Sequence, residues 1–219
     1  CDREINLTVE GITIQNGHVR NQHGGGLYIS NYRNELVQPN TTTIRNCIVR
    51  NNLSENTNEG HDGGGIYLWT STHVIFARNT VYGNSTLCEN ENWYARGGGL
   101  FVDTTKNLDI NNNLIYGNQA ANGGGIWAYQ NCWNCANAEQ VSIRANTISD
   151  NRATANGGGL YGMLYGATII ANNSLVGNTA GLLGGGISLA AYDDRFTLVN
   201  NVLAANTAGK SGGGMSVAA

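Results

Sequence analysis

Seven copies of Gly-Gly-Gly divide the chain into units, and no other feature of the sequence constrains the fold as strongly. The copies begin at Gly24, Gly63, Gly97, Gly123, Gly157, Gly184 and Gly212. Consecutive copies are 26 to 39 residues apart, which indicates a unit of about 26 residues that carries additional segments of variable length. A recurring spacing of this size is typical of proteins whose units stack on one another.

A second repeated block lies between successive glycine copies. In its clearest form it comprises Val141-Ser-Ile143, then Asn146-Thr-Ile148, then Asn151. Matching segments are residues 108–118, 168–178 and 196–206, with looser copies at 74–84 and 41–51 and a first copy, 7–16, that is one residue shorter. Each unit therefore contains three short apolar stretches, separated by glycine or asparagine.

These stretches predict β-strands, because they are too short for helices and are rich in Ile, Val, Leu and Thr. Gly and Asn tolerate the left-handed backbone conformation that turns require. Three strands in each unit predict an all-β fold, a three-faced parallel β-solenoid of about seven turns that occupies residues 1–219 as one domain. With about 4.8 Å between neighbouring strands, the rod would be roughly 34 Å long.

One column of asparagines is expected to stabilise the turns of this solenoid. It consists of the second asparagine of each block: Asn51, Asn84, Asn118, Asn151, Asn178 and Asn206. When stacked at one bend, each side-chain amide can hydrogen-bond to the amide of the next turn. We therefore interpret these residues as structural.

The composition excludes several classes of protein. Charged residues make up only 12% of the chain and the net charge is -3, so a surface for nucleic acid is not expected. No run of about 18 apolar residues is present to form a transmembrane helix. The hydrophobic share of 41% is too high for a disordered chain.

The combined pattern of Gly-Gly-Gly-(Ile/Leu)-aromatic and Asn-x-(Ile/Leu/Val)-x-x-Asn resembles right-handed parallel β-helix proteins of the pectate-lyase-like fold. Within that group it is most similar to secreted repeat proteins and to the passengers of polymorphic outer membrane proteins, which are autotransporter-type adhesins. Those passengers carry Gly-Gly-Ala-(Ile/Leu/Val) and Phe-x-x-Asn repeats, whereas here the third residue is Gly and the Phe position is Ile, Leu or Val. The resemblance implies the fold but no single chemistry, because this fold serves lyases, hydrolases, adhesins and fibres.

The strand after each glycine copy is predicted to display a column of aromatic side chains. Since side chains alternate along a strand, the first and third residues should point into the rod and the second residue should point outward. The outward aromatic residues are Tyr28, Tyr67, Phe101, Trp127 and Tyr161, with Trp69 and Tyr129 two positions further along their strands.

Three interpretations of this aromatic face remain open. The rings can bind the apolar faces of sugars, they can contact a partner protein, or the segments 31–40 and 130–140 can fold over them. Stacking between turns also stabilises a solenoid by about 0.5–1.5 kcal/mol per pair of rings without any ligand.

One cluster of ionisable residues is a candidate for catalysis. His23, His61, Asp62 and Arg96 lie just before glycine copies of adjacent turns, so stacking would bring them within about 5–10 Å of one another. The pattern suits either acid–base chemistry or a simple Asp62–Arg96 ion pair. Asp193 and the two residues after it are faintly similar to the paired Asp of polygalacturonases, but the accompanying motifs of that family are missing.

The five cysteines do not define a metal or haem site. Cys132 and Cys135 lie close together in a variable segment and are candidates for a local disulfide. Cys47 takes the place of Thr80 and Thr147 within its block, which favours a small buried side chain. There is no second pair of ligands for zinc and no calcium-binding repeat, so neither a metal nor a cofactor is expected.

The two ends of the sequence carry no obvious capping element. The chain starts at Cys1 and ends on the apolar strand 215–219. Three alternatives follow: a fragment of a longer passenger, a building block that stacks end to end, and a lipoprotein acylated at Cys1.

We expect a non-catalytic structural or adhesive module that is secreted or displayed at a cell surface. Its partner would be a second copy through end-to-end stacking, or a protein or glycan on a host cell surface. The alternative is a polysaccharide-active enzyme, either a lyase or a glycoside hydrolase, whose activity would depend on His61, Asp62 or Asp193.

Overall fold

Four parallel β-sheets form the molecule in the computed structural model. The structure describes residues 6–31, 41–57, 60–70, 73–88, 95–130, 140–191 and 195–218, in which every regular element is a β-strand. The chain passes through the four sheets, A to D, in the same order seven times, and we call one such passage a rung. Six full turns separate the first and the last strand of each sheet.

The strands of each sheet follow one another along the rod, and all neighbouring strands are parallel. Sheet A contains β1 (Leu7–Glu10), β5 (Thr41–Arg45), β9 (His73–Ala77), β13 (Leu108–Asn111), β17 (Gln140–Arg144), β21 (Ala167–Ala171) and β25 (Phe196–Val199). Sheet B contains β2 (Thr13–Gln15), β6 (Ile48–Arg50), β10 (Thr80–Tyr82), β14 (Leu114–Tyr116), β18 (Thr147–Ser149), β22 (Ser174–Val176) and β26 (Val202–Ala204). Sheet C contains β3 (His18–Arg20), β7 (Leu53–Asn56), β11 (Ser85–Cys88), β15 (Gln119–Asn122), β19 (Arg152–Asn156), β23 (Thr179–Ala180) and β27 (Thr207–Ala208). Sheet D contains β4 (Leu27–Asn31), β8 (Ile66–Thr70), β12 (Leu100–Thr104), β16 (Ile126–Gln130), β20 (Leu160–Leu164), β24 (Ile187–Ala191) and β28 (Met215–Ala218).

The structure confirms the all-β parallel solenoid but contains one sheet more than the predicted three. The three apolar stretches of each unit form sheets D, A and B, and sheet C lies between the second asparagine and the glycines. Its strands are short and carry many polar or small residues, as in β19 (Arg152–Asn156) and β27 (Thr207–Ala208). Sheet C was missed because hydrophobic periodicity is weak in such strands.

Two-residue corners connect sheet A to sheet B and sheet B to sheet C in every rung. The first residue of each corner has a positive φ angle, for example 55° at Arg78 and 62° at Gly117. The second residue is an asparagine in the five rungs from β9 (His73–Ala77) to the end. Because Gly and Asn tolerate the left-handed conformation best, they are frequent at the first position.

The predicted asparagine column requires one correction. Asn51 has a φ angle of 55° and is the first residue of its corner, whereas Asn52 is the second and donates from Nδ2 to Asn84 Oδ1 at 2.9 Å. The block assigned to 41–51 was therefore shifted by one residue, because two asparagines are adjacent in the sequence. The first copy is not shorter either, since Gly17 takes the asparagine position and its N–H donates to Asn52 Oδ1 at 2.8 Å.

Asparagines at the two corners form two continuous ladders inside the rod. The ladder between sheets B and C contains Asn52, Asn84, Asn118, Asn151, Asn178 and Asn206. The ladder between sheets A and B, which was not predicted as a column, contains Asn79, Asn113, Asn146, Asn173 and Asn201. From the sequence, Cys47 was predicted to align with Thr80, but the residue that pairs with Thr80 is Ile48. Cys47 instead occupies the corner position equivalent to Asn79, and its backbone N–H donates to Asn79 Oδ1. Its side chain is buried, as predicted.

Asn118 illustrates how a ladder residue is satisfied. Its Nδ2 donates to Asn151 Oδ1 and to the Val81 carbonyl, both at 3.0 Å. Its Oδ1 accepts from the backbone N–H of Asn84 at 3.0 Å and from Asn84 Nδ2 at 2.9 Å. The ladder therefore pairs buried backbone groups at a bend where no strand can pair them.

The glycine copies form the turn that leads into sheet D. Gly97 has a φ angle of 65°, and a Cβ atom on Gly98 would collide with the carbonyl oxygens of Gln119 and Gly124 in the next rung. Glycine is required at both positions, first for the backbone conformation and then for the close approach of two rungs. The turn places the side chain of the residue before the triplet over the outer side of the strand that follows the triplet. Arg96, for example, lies over Phe101 of β12.

The inward residues of sheet D belong to the main core of the rod. The first residues of successive strands are completely buried in the middle rungs: Ile66, Leu100, Ile126, Leu160 and Ile187. In the last rung Met215 and Val217, which were predicted to point inward, hold the same register positions but remain exposed.

Candidate functional site

The predicted aromatic column lies on the outer side of sheet D, where its central rings form a cluster separate from the main core. The rings are stacked almost in parallel from rung to rung. The centroid distances are 5.2 Å from Tyr28 to Tyr67, 4.7 Å to Phe101, 4.5 Å to Trp127 and 6.5 Å to Tyr161. The alternation of inward and outward residues predicted for this strand is therefore confirmed.

The aromatic column is not uniformly accessible, contrary to the expectation of five displayed rings. Tyr28 is 53% exposed, whereas Phe101 and Trp127 are only 2% and 3% exposed. Tyr161 at the other end is half-buried. The column therefore presents its ends to solvent, while its centre is packed as tightly as a core.

Side chains from the residues before the glycine triplets cover the centre of the column. The His23 ring stacks on Tyr67 with a centroid distance of 4.4 Å. The Arg96 guanidinium lies 5.0 Å from the ring centre of Phe101 and 4.6 Å from that of Trp127. The segments 32–40 and 131–139, which were considered as covers, lie outside the described residues.

Asp62 and Arg96 form a buried ion pair beside these rings. Arg96 Nε donates to Asp62 Oδ1 at 2.9 Å, Arg96 Nη2 donates to Oδ2 at 2.6 Å, and the backbone N–H of Arg96 also donates to Oδ1. Burial raises the pKa of Asp62, and the hydrogen bonds from Arg96 oppose this effect. All three contacts hold the carboxylate as the partner of Arg96, so the ion-pair interpretation fits this residue better than acid–base catalysis.

His23 completes the cover as a neutral ring. Burial, together with the charges of His61 and Arg96, lowers its pKa to about 4. The backbone N–H of Asp62 donates to His23 Nδ1 at 3.0 Å, so the proton of the neutral ring resides on Nε2. That nitrogen lies 3.5 Å from His61 Nδ1. The four residues predicted to cluster are thus brought together, with a geometry that stabilises the turn.

Asp103 is a residue of this site that the sequence analysis missed. It lies on β12 directly between Trp69 of β8 and Tyr129 of β16, on the outer side of the sheet. Burial raises its pKa to about 6, against the opposing effect of Arg96. The alternation that placed Trp69 and Tyr129 outward places Asp103 between them, so the signal was present in the sequence.

Two aromatic residues around Asp103 remain accessible. Trp69 is 37% exposed and Tyr129 is half-buried, with its ring centre 5.7 Å from that of Trp127. Together with Tyr28 and Tyr161 at the two ends of the column, these residues make up the part of the aromatic face that a ligand can reach. The arrangement can bind a flat apolar surface, and Asp103 adds a carboxyl group to it.

The remaining candidates from the sequence are the cysteines and one acidic residue. Cys132, Cys135 and Asp193 lie outside the described residues. Cys47 and Cys88 are free thiols in the described part of the chain. Among the same residues, no group of three or more His, Cys, Asp or Glu is arranged to hold a metal ion.

Comparisons with known proteins identify the fold. A family model described as a right-handed β-helix region matches residues 4–203. Searches of curated proteins and of solved structures find no significant match. No helix that is long and apolar enough to cross a membrane occurs in the described part of the chain. The closer resemblance to autotransporter passengers and the end-to-end stacking both stay predictions.

Proposed function

The chain belongs to the right-handed β-helix family, and from this premise we propose that it is a non-catalytic structural or adhesive module that acts outside the cell or at its surface. In this role the rod holds the outer side of sheet D rigid. A glycan or a protein partner binds to the accessible end of the aromatic face.

The exposure of Tyr28 and Trp69 carries this proposal. Both rings lie on neighbouring strands of a rigid parallel sheet, and both present a large apolar surface to solvent. Exposed aromatic residues on a rigid platform are typical of binding surfaces, because they bury much area at a low cost in conformational entropy. The buried rings behind them fix the platform and do not themselves contact a ligand.

The enzymatic alternative has weaker support. Glycoside hydrolases generally use two carboxyl groups, one on each side of the scissile bond. Asp62 is 1% exposed and is held by Arg96, so it is not accessible to a substrate. Among the described residues of this face, Asp103 is the one carboxyl group that a ligand can approach.

Attachment assays with paired variants test the proposed function. Replacing Tyr28 and Trp69 by Ala removes the accessible rings and should weaken attachment to cells or to a glycan panel by about tenfold or more. Tyr82→Ala is the matched control, because Tyr82 stacks on Tyr116 on the outer side of sheet B. β-Sheet circular dichroism confirms folding of each variant. Unchanged attachment by the folded double variant would refute the proposal.

A further inference from the structure

Trp69, Asp103 and Tyr129 occupy the same position on three consecutive strands of sheet D. Their side chains point outward in one column that runs beside the buried aromatic stack. Adjacent members are separated by about 4.8 Å, the distance between neighbouring strands. A carboxyl group is therefore flanked by two aromatic rings along the axis of the rod.

The Asp103 carboxyl group lacks an internal partner. Among the described residues it makes no hydrogen bond and no ion pair. Among the described residues, the charges that act on the pKa of Asp103 are those of Arg96 and Asp62, which pair with each other. His23 is neutral, so these described groups together carry the negative charge of Asp103.

The carboxyl group of Asp103 lowers the stability of the fold, and the turn does not require it. A partly buried carboxyl group without a hydrogen bond destabilises a protein, because it loses water and gains nothing in return. The equivalent outward position holds Trp69 and Tyr129 in the two adjacent rungs and Met163 in the rung after Tyr129, so a large apolar side chain fits there. Residues that oppose stability in this way are concentrated at functional sites.

We propose that Trp69, Asp103 and Tyr129 form a binding site for a protonated amino sugar of a glucosamine-type polysaccharide. The apolar face of the pyranose ring packs on Trp69, and the ammonium group pairs with Asp103. The negative faces of the two rings favour the same positive charge through cation–π attraction. A simple alkylammonium ion would pair with the carboxylate without contacting the exposed part of Trp69, whereas an amino sugar contacts both. This inference rests on the proposed function and specifies its ligand.

Titration calorimetry with two tetrasaccharides tests the inference. The probes are a glucosamine tetramer and an N-acetylglucosamine tetramer, which share the ring but differ in charge. At neutral pH and low ionic strength we expect the charged tetramer to bind at least about tenfold more tightly, since a charge-assisted hydrogen bond is stronger than a neutral one. Asp103→Asn should abolish this preference, and Trp69→Ala should weaken both ligands.

Asp109→Asn is the matched control, because it removes a half-buried carboxyl group from the outer side of sheet A. This variant should keep the preference of the natural protein. Equal binding of the two tetramers, no binding of the charged tetramer, or a preference that survives in Asp103→Asn would each overturn the inference. If attachment still depends on Tyr28 and Trp69 in that case, the proposed function stands and only the choice of ligand is wrong.

Discussion

The corners of the rod and the outer side of sheet D are both built from stacked side chains, but they differ in regularity. The ladder at the corner between sheets B and C repeats the same amide contact from Asn52 to Asn206. The outer side of sheet D changes its chemistry from rung to rung. There Asp62, Arg96 and Asp103 each have a different residue at the equivalent position of the next rung.

This difference separates the structural features from the candidate functional ones. A contact that recurs in every rung serves the turn itself, because every turn has the same backbone groups to satisfy. A charged residue that occurs once cannot be explained by a requirement common to all turns. Asp62 and Arg96 explain each other as a pair, whereas Asp103 has no such internal explanation.

The largest effect is expected inside the ladder. Asn118→Ala leaves the Val81 carbonyl and the backbone N–H of Asn84 without their partner and removes one of the two acceptors of Asn84 Nδ2, and each unsatisfied buried group costs about 1–3 kcal/mol. The free energy of unfolding should therefore fall by about 3–6 kcal/mol, as measured by urea denaturation. Asn111→Ala, on the outer side of the same rung, should cost less than about 1 kcal/mol. Similar losses in the two variants would contradict the structural role of the ladder.

A smaller loss is expected on the outer side of sheet D. Arg96→Ala removes the partner of a buried carboxylate and uncovers Phe101 and Trp127. We expect a loss of about 3 kcal/mol, at the lower end for buried pairs because Arg96 is 33% exposed. Without Arg96, the pKa of Asp62 rises, because burial is no longer opposed by the ion pair. Protonation then removes the unpaired charge at acidic pH, so the loss of unfolding free energy should shrink as the pH falls toward 4.

Urea denaturation at pH 8 and pH 4 measures this difference. The double variant Asp62→Asn with Arg96→Met is the control, since it removes both charges and keeps much of the packing over the rings. It should be more stable than Arg96→Ala at pH 8. A loss in Arg96→Ala that is the same at both pH values would argue against a buried charge as its cause.

The smallest change in the free energy of unfolding is expected for Asp103. Unlike the substitutions above, removal of this carboxyl group should stabilise the protein. The pKa is raised to about 6 in the folded state, so the carboxyl group favours folding in its protonated form and opposes folding once ionised. Asp103→Asn should gain about 1–2 kcal/mol at pH 8, and the gain should disappear as the pH falls from 6 toward 4. Thermal melting at a series of pH values would measure it. A variant less stable than the natural protein at pH 8 would show that Asp103 has an internal structural role.

Much of the fold was predictable because it is encoded by local repetition. The glycine spacing, the strand stretches and the outward aromatic residues all recur, so each copy supports the assignment of the others. The errors arose where repetition was ambiguous. Adjacent asparagines at 51 and 52 concealed the register of one block, and the short polar strands of sheet C lacked the apolar pattern that reveals a strand.

The candidate site was harder to predict because it depends on contacts between rungs. The sequence places Tyr67, Phe101 and Trp127 on the outer side of their strands, but it does not reveal that His23 and Arg96 cover them. The exposure of these rings depends on where the preceding turn directs the side chains of His23 and Arg96. Predicting that direction requires the path of the backbone through the turn. The outward position of Asp103 follows from alternation alone, but its partial burial and its place between two aromatic residues depend on the register of three strands.

Connection lengths show where this architecture permits diversification. The corners from sheet A to B and from B to C have two residues in every rung, whereas β4 ends at Asn31 and β5 begins at Thr41, and β8 ends at Thr70 and β9 begins at His73. Connections of variable length therefore occur only immediately before and after sheet D. New segments can be grafted at these two borders without disturbing either amide ladder, so a single scaffold can carry many recognition surfaces around one aromatic platform.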